Sequence, residues 1–145
     1  MNFYKESDFP SSNFSNSNSK QFNRAKGGAG EGAAGIFLKN LGYEILENNY
    51  MNKHGEIDII AKNFRKIRGQ LEPIYHFVEV KFRMSDLFGH GRDAVGREKQ
   101  RRIRGAAQYY LIANGLRDRV YSCFDVIEIT GSLDNPDIEF LENCF

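Results

Sequence analysis

Residues 74–82 read IYHFVEVKF, a β-branched and aromatic stretch in which Val78, Val80 and Phe82 alternate with Glu79 and Lys81. Successive side chains of a strand point to opposite faces, so one side of this strand is strongly apolar and the other carries Glu79 and Lys81 together. Upstream, YEILENNY (43–50) and EIDIIAK (56–62) have similar character and flank the turn-prone MNKHG, a pattern that predicts a hairpin. NFRKIRGQLEP (63–73) reads as a longer basic loop, and three neighbouring antiparallel strands follow from this arrangement.

Helices bracket the strands. In KGGAGEGAAGIFLKNL (26–41), Ala34, Leu38 and Leu41 fall on one side with Phe37 beside them, which predicts a helix that Gly42 ends. Its glycines weaken it and point to close packing against another element. After the loop RMSDLFGHGRD, the stretch AVGREKQRRIRGAAQYYLIAN (94–114) predicts a long helix with the inner stripe Val95, Ile103, Ala106 and Tyr110, ending at Gly115. VYSCFDVIEI (120–129) is a further strand, parallel to 74–82 through a right-handed crossover, and DIEFL (137–141) a short one. The class is α/β, a mixed sheet with helices against it.

A chain of 145 residues suits one domain. Residues 1–24 contain the Ser/Asn-rich tract SSNFSNSNSKQFN and read as a flexible extension, leaving 25–145 as the folded unit. With 27% charged residues and no apolar run approaching the ~20 residues of a membrane span, no membrane role is indicated. The opening MNFYKESDF lacks the basic start and apolar core of a secretory signal, so a cytoplasmic protein is expected. Cys123 and Cys144 have no metal-ligand spacing. The net charge of +1 averages unlike segments: basic residues prevail from Lys81 to Arg104, whereas every charged residue from Asp134 onward is acidic.

Asp58 sits between Ile57 and Ile59, as Glu79 sits between Val78 and Val80. In the right register the two carboxylates come within reach of one hard cation, which would relieve their mutual repulsion. Glu31, near the start of the first predicted helix, would close such a cage, and Lys81 could stabilise charge at a phosphate. The same residues also suit a solvated strand face with Lys81 as an ion-pair partner, and Glu31 suits a helix N-terminus through the macrodipole alone. Lys99 interrupts an inward helical stripe and either borders this cleft or extends to water. Arg97, Arg101 and Arg104 recur at helical spacing, with Arg102 between them and Arg83 and Arg92 upstream, a basic surface suited to backbone phosphates. His54, His76 and His90 have no metal-ligand spacing and no evident nucleophile partner.

Taken in order, GAGEGAAGIFLKNLGYEILENNY, HGEIDIIA, HFVEVKFR, FGHGRDAVGREKQRRIRGAAQYYL, FDVIEI and the closing ENCF resemble the small bacterial YraN-like family, related to the restriction-endonuclease-like, or PD-(D/E)xK, nuclease superfamily. The resemblance runs from about residue 27 to the C-terminus. It implies a core of order αβββαβ similar to archaeal Holliday junction resolvases, with Glu31, Asp58, Glu79 and Lys81 at the catalytic positions and Lys99 at the family's helical lysine. The long 63–73 connection and the Ser/Asn-rich extension depart from the compact family pattern.

The expectation is a magnesium-dependent DNA endonuclease, with manganese as a substitute. Asp58 and Glu79 would hold the metal with help from Glu31 and the carbonyl of Val80, and a homodimer would suit cleavage of two strands at a branched substrate. Two other readings stand beside it: a nucleic-acid-binding module with weak or no nuclease activity, and an adaptor whose basic face binds an acidic protein. There is no GK[ST] phosphate loop, and GGAGEG is not a GxGxxG following a strand, so nucleotide-cofactor readings are poor.

Overall fold

In the computed structural model, Val78, Val80 and Phe82 face Ala33, Ala34, Phe37 and Leu38 of the first helix, as the alternation requires. The structure describes the backbone at 4–5 and 19–27, and backbone and side chains from Gly28 onward except at 84–94 and 133. Chain order is β1 (Tyr4–Lys5), α1 (Ser19–Asn40), β2 (Glu44–Asn52), β3 (Gly55–Ile67), β4 (Gln70–Arg83), α2 (Arg97–Ala113), β5 (Tyr121–Ser132) and β6 (Asn135–Leu141). One sheet of order β1-β6-β5-β4-β3-β2 results, antiparallel throughout except for the parallel β4–β5 pair. This is the expected α/β architecture of a mixed sheet flanked by helices.

Each face of the sheet carries its own core. Ile59, Ala61, Val78, Ile127 and Ile129 bury against α1, whereas Ile57, Ile60, Phe77 and Val126 bury against Ile103, Ala106, Ala107 and Tyr110 of α2. Both helices stop at a glycine in the left-handed region. At Gly42 (φ 89), the N–H of Gly42 donates to Lys39 O and that of Tyr43 to Leu38 O. Gly115 (φ 68) repeats the arrangement, with Leu116 N–H donating to Leu111 O, so the last carbonyls of both helices are satisfied. Among the described residues, no helix is long and apolar enough to cross a membrane.

Several expectations are corrected here. Residues 63–73 form no long loop: β3 and β4 pair continuously from Ile59↔Val78 to Ile67↔Gln70. Arg68 (φ 50) and Gly69 (φ 86) make the two-residue turn between them. Positive φ at both central positions matches the twist of a hairpin, and Arg68 takes that conformation without being the usual Asn or Asp. Helix α1 starts at Ser19, before the expected Lys26, so Glu31 lies well inside the helix and the dipole account of it does not apply. Of the described glycines of α1, Gly30 alone packs on another element, with its Cβ position 3.4 Å from Phe82.

The β2–β3 turn sits against α2 with no room for a side chain at Gly55, whose Cβ position falls 3.0 Å from Arg102 Cβ and 3.2 Å from the Arg102 carbonyl oxygen. Because the helix backbone cannot yield, Gly55→Ala should lift the turn from α2 at a cost of ~1–3 kcal/mol. The expected reading is a lower urea midpoint with an unchanged m-value; an unaltered midpoint would show that the turn is not held there.

Candidate functional site

The β3–β4 ladder begins at Ile59↔Val78, although both strands continue beyond it toward Asp58 and Glu79. The strands part there, and the peptide N–H of Val80 donates instead to Asp58 Oδ2 at 2.7 Å. The chain also turns over at this point. Ile57 packs on the α2 side and Ile59 on the α1 side, although alternate residues of an undisturbed strand share a face. Asn49 on β2, between the pairs Asn48↔Ile59 and Tyr50↔Ile57, has φ 53. Ile57 and Ile59, which flank Asp58 in the sequence, therefore do not share the face opposite it, as strict alternation would require. Asp58 occupies a kink at the mouth of a fork.

Glu79 shares the α2-facing side of β4 with Phe77 and is buried, its side chain only 6% exposed. Lys99 reaches it from α2 and its ammonium donates to Glu79 Oε1, the lysine side chain being 54% exposed. The lysine expected on the inward stripe is therefore exposed, and its ammonium borders the cleft by ending on the Glu79 carboxylate. Lys81 is half-buried, follows Glu79 by two residues and stands beside Glu128 of β5 in the parallel register.

Asp58 is the group of the cluster whose charge the surroundings disfavour. Burial first, then the Glu79 carboxylate close enough to hydrogen-bond it, raise the Asp58 carboxyl to about 7. Glu31 adds a smaller push from α1, and the Val80 N–H pulls the other way. Four of the expected residues, Glu31, Asp58, Glu79 and Lys99, therefore act on one another although they come from four elements. Asp58, Glu79, Lys99 and Arg102 line an open cleft of ≈ 840 Å³ whose other wall is the β2–β3 turn.

The arginines divide between two places. Arg101 and Arg102 each bond Glu98, at 3.0 and 3.3 Å. Arg97, Arg101 and Arg104 line a groove on the outer surface of α2, as their spacing predicts. Arg104 also lies over the rings of Phe124 and Phe145, at 5.7 and 5.8 Å, and so packs the C-terminus as well. Arg83 ends β4, half-buried. Arg92 and His90 lie outside the described residues.

A second polar constellation, on the α1 side of the sheet, went unseen in the sequence. His76 and Asp125, both fully buried, meet at 2.6 Å through His76 Nδ1. The other ring nitrogen faces Asn63 Oδ1 at 3.0 Å, and Asp125 also accepts the Asn143 N–H at 2.7 Å. Tyr43 lies across the His76 ring, its hydroxyl donating to Glu142, which Arg65 also holds at 2.7 Å. Although burial pushes the Glu142 carboxyl up, its bonds from Arg65 and Tyr43 hold it below the usual range. His76, Cys123 and Asp125 offer donor atoms within 4.8 Å of one another. Both ring nitrogens are already engaged, and burial, then the Asp125 charge, push the Cys123 thiol up and away from the thiolate a metal needs. We read this network as a structural tie between β3, β4, β5 and the C-terminal segment.

Residues 30–129 match the model of the uncharacterised protein family UPF0102. The chain belongs to that family. A UPF0102 protein of Clostridium perfringens is 41% identical over 87% of this chain and 98% of its own length. UPF0102 proteins of Clostridium acetobutylicum and Caldicellulosiruptor saccharolyticus are 40% and 39% identical, covering 86% and 84% of this chain and 97% and 98% of their own. The family match spans Glu31, Asp58, Glu79, Lys81 and Lys99. It also includes the buried tie of His76 and Asp125, so both constellations of this UPF0102 protein lie inside the family's own segment.

Proposed function

We propose that this protein is a divalent-metal-dependent DNA endonuclease whose centre is the fork at Asp58 and Glu79. The observation that carries the proposal is the Asp58 carboxylate, held by the Val80 N–H where the ladder opens and set against the buried Glu79 in an open cleft. The donors are all oxygen, and two carboxyls this close, one of them pushed up by burial and by its neighbour's charge, suit a hard cation. Asp58 and Glu79 would hold magnesium or manganese, with Glu31 and the Val80 carbonyl beside them. Bound there, the ion would neutralise charge on a phosphate and lower the pKa of a water.

The chain's own groups supply the rest. Lys99 neutralises Glu79 and, on a flexible stem, can pass to an incoming phosphate. Lys81 contributes positive charge on the Glu79 side of β4. Arg102 lines the cleft, and Arg97, Arg101 and Arg104 with Arg83 provide a surface for backbone phosphates, as Arg92 would. A homodimer would present two centres to two strands of a branched substrate.

The ion pair between Lys99 and Glu79 favours a second reading, a nucleic-acid-binding module with an idle centre, since it engages a ligand the metal would need. Incubation with branched, nicked, single-stranded and linear duplex DNA in magnesium or manganese separates the two. Cleavage is expected, and Glu79→Gln should reduce it by more than the roughly 100-fold that loss of an outer-shell partner costs. Cleavage unaffected by that substitution removes this centre; binding without metal-dependent product leaves the module.

A further inference from the structure

Beside the cleft, the β2–β3 turn and α2 enclose a second groove that the carboxylate centre does not use. Two glycines create it: besides Gly55 on Arg102, Gly105 has its Cβ position 3.2 Å from His54 Cβ, so the turn lies almost on the helix. The turn thereby meets Tyr109. The His54 ring lies 6.0 Å from the Tyr109 ring at a 50° tilt, and Lys53 Nζ lies 6.0 Å from its centroid. Tyr109 remains 44% exposed, and Ile112, one helical turn on, 48%. Arg101 and Arg102 border the groove, both fixed by Glu98, and with Lys53 they leave its walls net positive. Lys53, His54, Glu98 and Arg102 also line the carboxylate cleft, so the two spaces share a wall.

Tyr109 stays 44% exposed although Lys53 and His54 lie against its ring, and an aromatic ring set among cations is what a nucleobase on a phosphate backbone requires. Bases inside a duplex are already stacked and cannot reach such a ring. We infer that Tyr109 is a stacking platform for an unpaired base of the DNA strand whose phosphate enters the Asp58–Glu79 cleft, which makes the substrate a DNA with a single-stranded arm, flap or gap. The inference rests on the nuclease reading for the strand's path, but its test does not depend on cleavage. An acidic protein would engage the same arginines and would have no use for the ring.

The test is fluorescence anisotropy of the full chain in EDTA, with a labelled splayed-arm DNA carrying an unpaired arm of about a dozen nucleotides and a fully paired duplex of the same length. Tyr109→Ala should weaken splayed-arm binding by about tenfold, the scale of one lost base–aromatic stack, and leave duplex binding within about twofold. Tyr109→Phe should bind as wild type does. Equal weakening on both DNAs, no weakening on either, or no binding of any oligonucleotide overturns the inference. So does displacement of the DNA by polyglutamate with equal ease from wild type and Tyr109→Ala, which would identify a surface for acidic chains. If no DNA is cut under any metal condition but the Tyr109-dependent preference persists, the nuclease reading fails and the stacking platform stands. Metal-dependent cleavage by a protein indifferent to Tyr109→Ala has the opposite meaning.

Discussion

Asp58→Asn is expected to stabilise the metal-free protein at pH 8 and, in the same molecule, to abolish its response to magnesium. The Asp58 carboxyl stands at about 7 in the folded chain against 3.8 for the free group, chiefly through burial and the Glu79 charge. Between those values the folded chain keeps a proton that the unfolded chain has released, so stability declines as pH rises from about 4 through about 7 and stays low above. At pH 8 the loss is at most about 4 kcal/mol, of which asparagine recovers part. Asparagine cannot ionise. It can still accept the Val80 N–H, and its amide donates to Glu79 where the carboxylate repels it. The thermal midpoint of Asp58→Asn should exceed that of wild type by about 3–10 °C at pH 8, and the difference should vanish near pH 4. Magnesium at pH 8 should raise the wild-type midpoint and leave the variant's unchanged, because a ligand stabilises only the state that binds it. An equal difference at both pH values, or equal stabilisation of both proteins by magnesium, would mean that Asp58 is an ordinary surface carboxylate.

His76→Ala should be the most damaging single substitution outside the apolar core. It leaves the fully buried Asp125 with the Asn143 N–H and no imidazole, and leaves Asn63 facing a void. Leaving a buried polar group without its partner costs about 1–3 kcal/mol, and the cavity left by the imidazole adds to that, against a total of roughly 5–15 kcal/mol for a domain. Asp125→Asn keeps the volume and one hydrogen bond to the ring, so it should cost distinctly less. Urea denaturation of the three proteins at pH 7 checks the ranking. Comparable losses for the two variants would indicate that volume, and not the His–Asp interaction, sets the cost.

The sequence exposed those features that depend on local periodicity. Alternation located β3, β4 and β5 and divided Glu79 and Lys81 from Val78, Val80 and Phe82; the helical stripe located α2 and singled out Lys99. Gly42 and Gly115 marked helix ends because a left-handed terminus favours the residue without a Cβ. What stayed hidden depends on pairing between distant segments. The kink at Asp58 is set by where β3 leaves β4 and by Asn49 on β2, so no window of residues contains it. The turn at Arg68-Gly69 was obscured because arginine seldom takes positive φ, and the basic residues around it resembled a solvated loop. His76 could have been suspected: it shares a face with Val78 in a strand whose neighbours are buried, and Asp125 shares one with Ile127 and Ile129. Two polar groups on apolar faces require partners, and the parallel pairing of β4 with β5 brings them together.

The four groups that act on one another at the fork come from α1, β3, β4 and α2, two of them from helices on opposite faces of the sheet. No single helix or strand holds more than one of them. Under the proposed function, a centre built this way would be withheld from the growing polypeptide and from any partly melted form, and would become available only when both layers have closed on the sheet. Native assembly would then itself be the safeguard against premature cleavage.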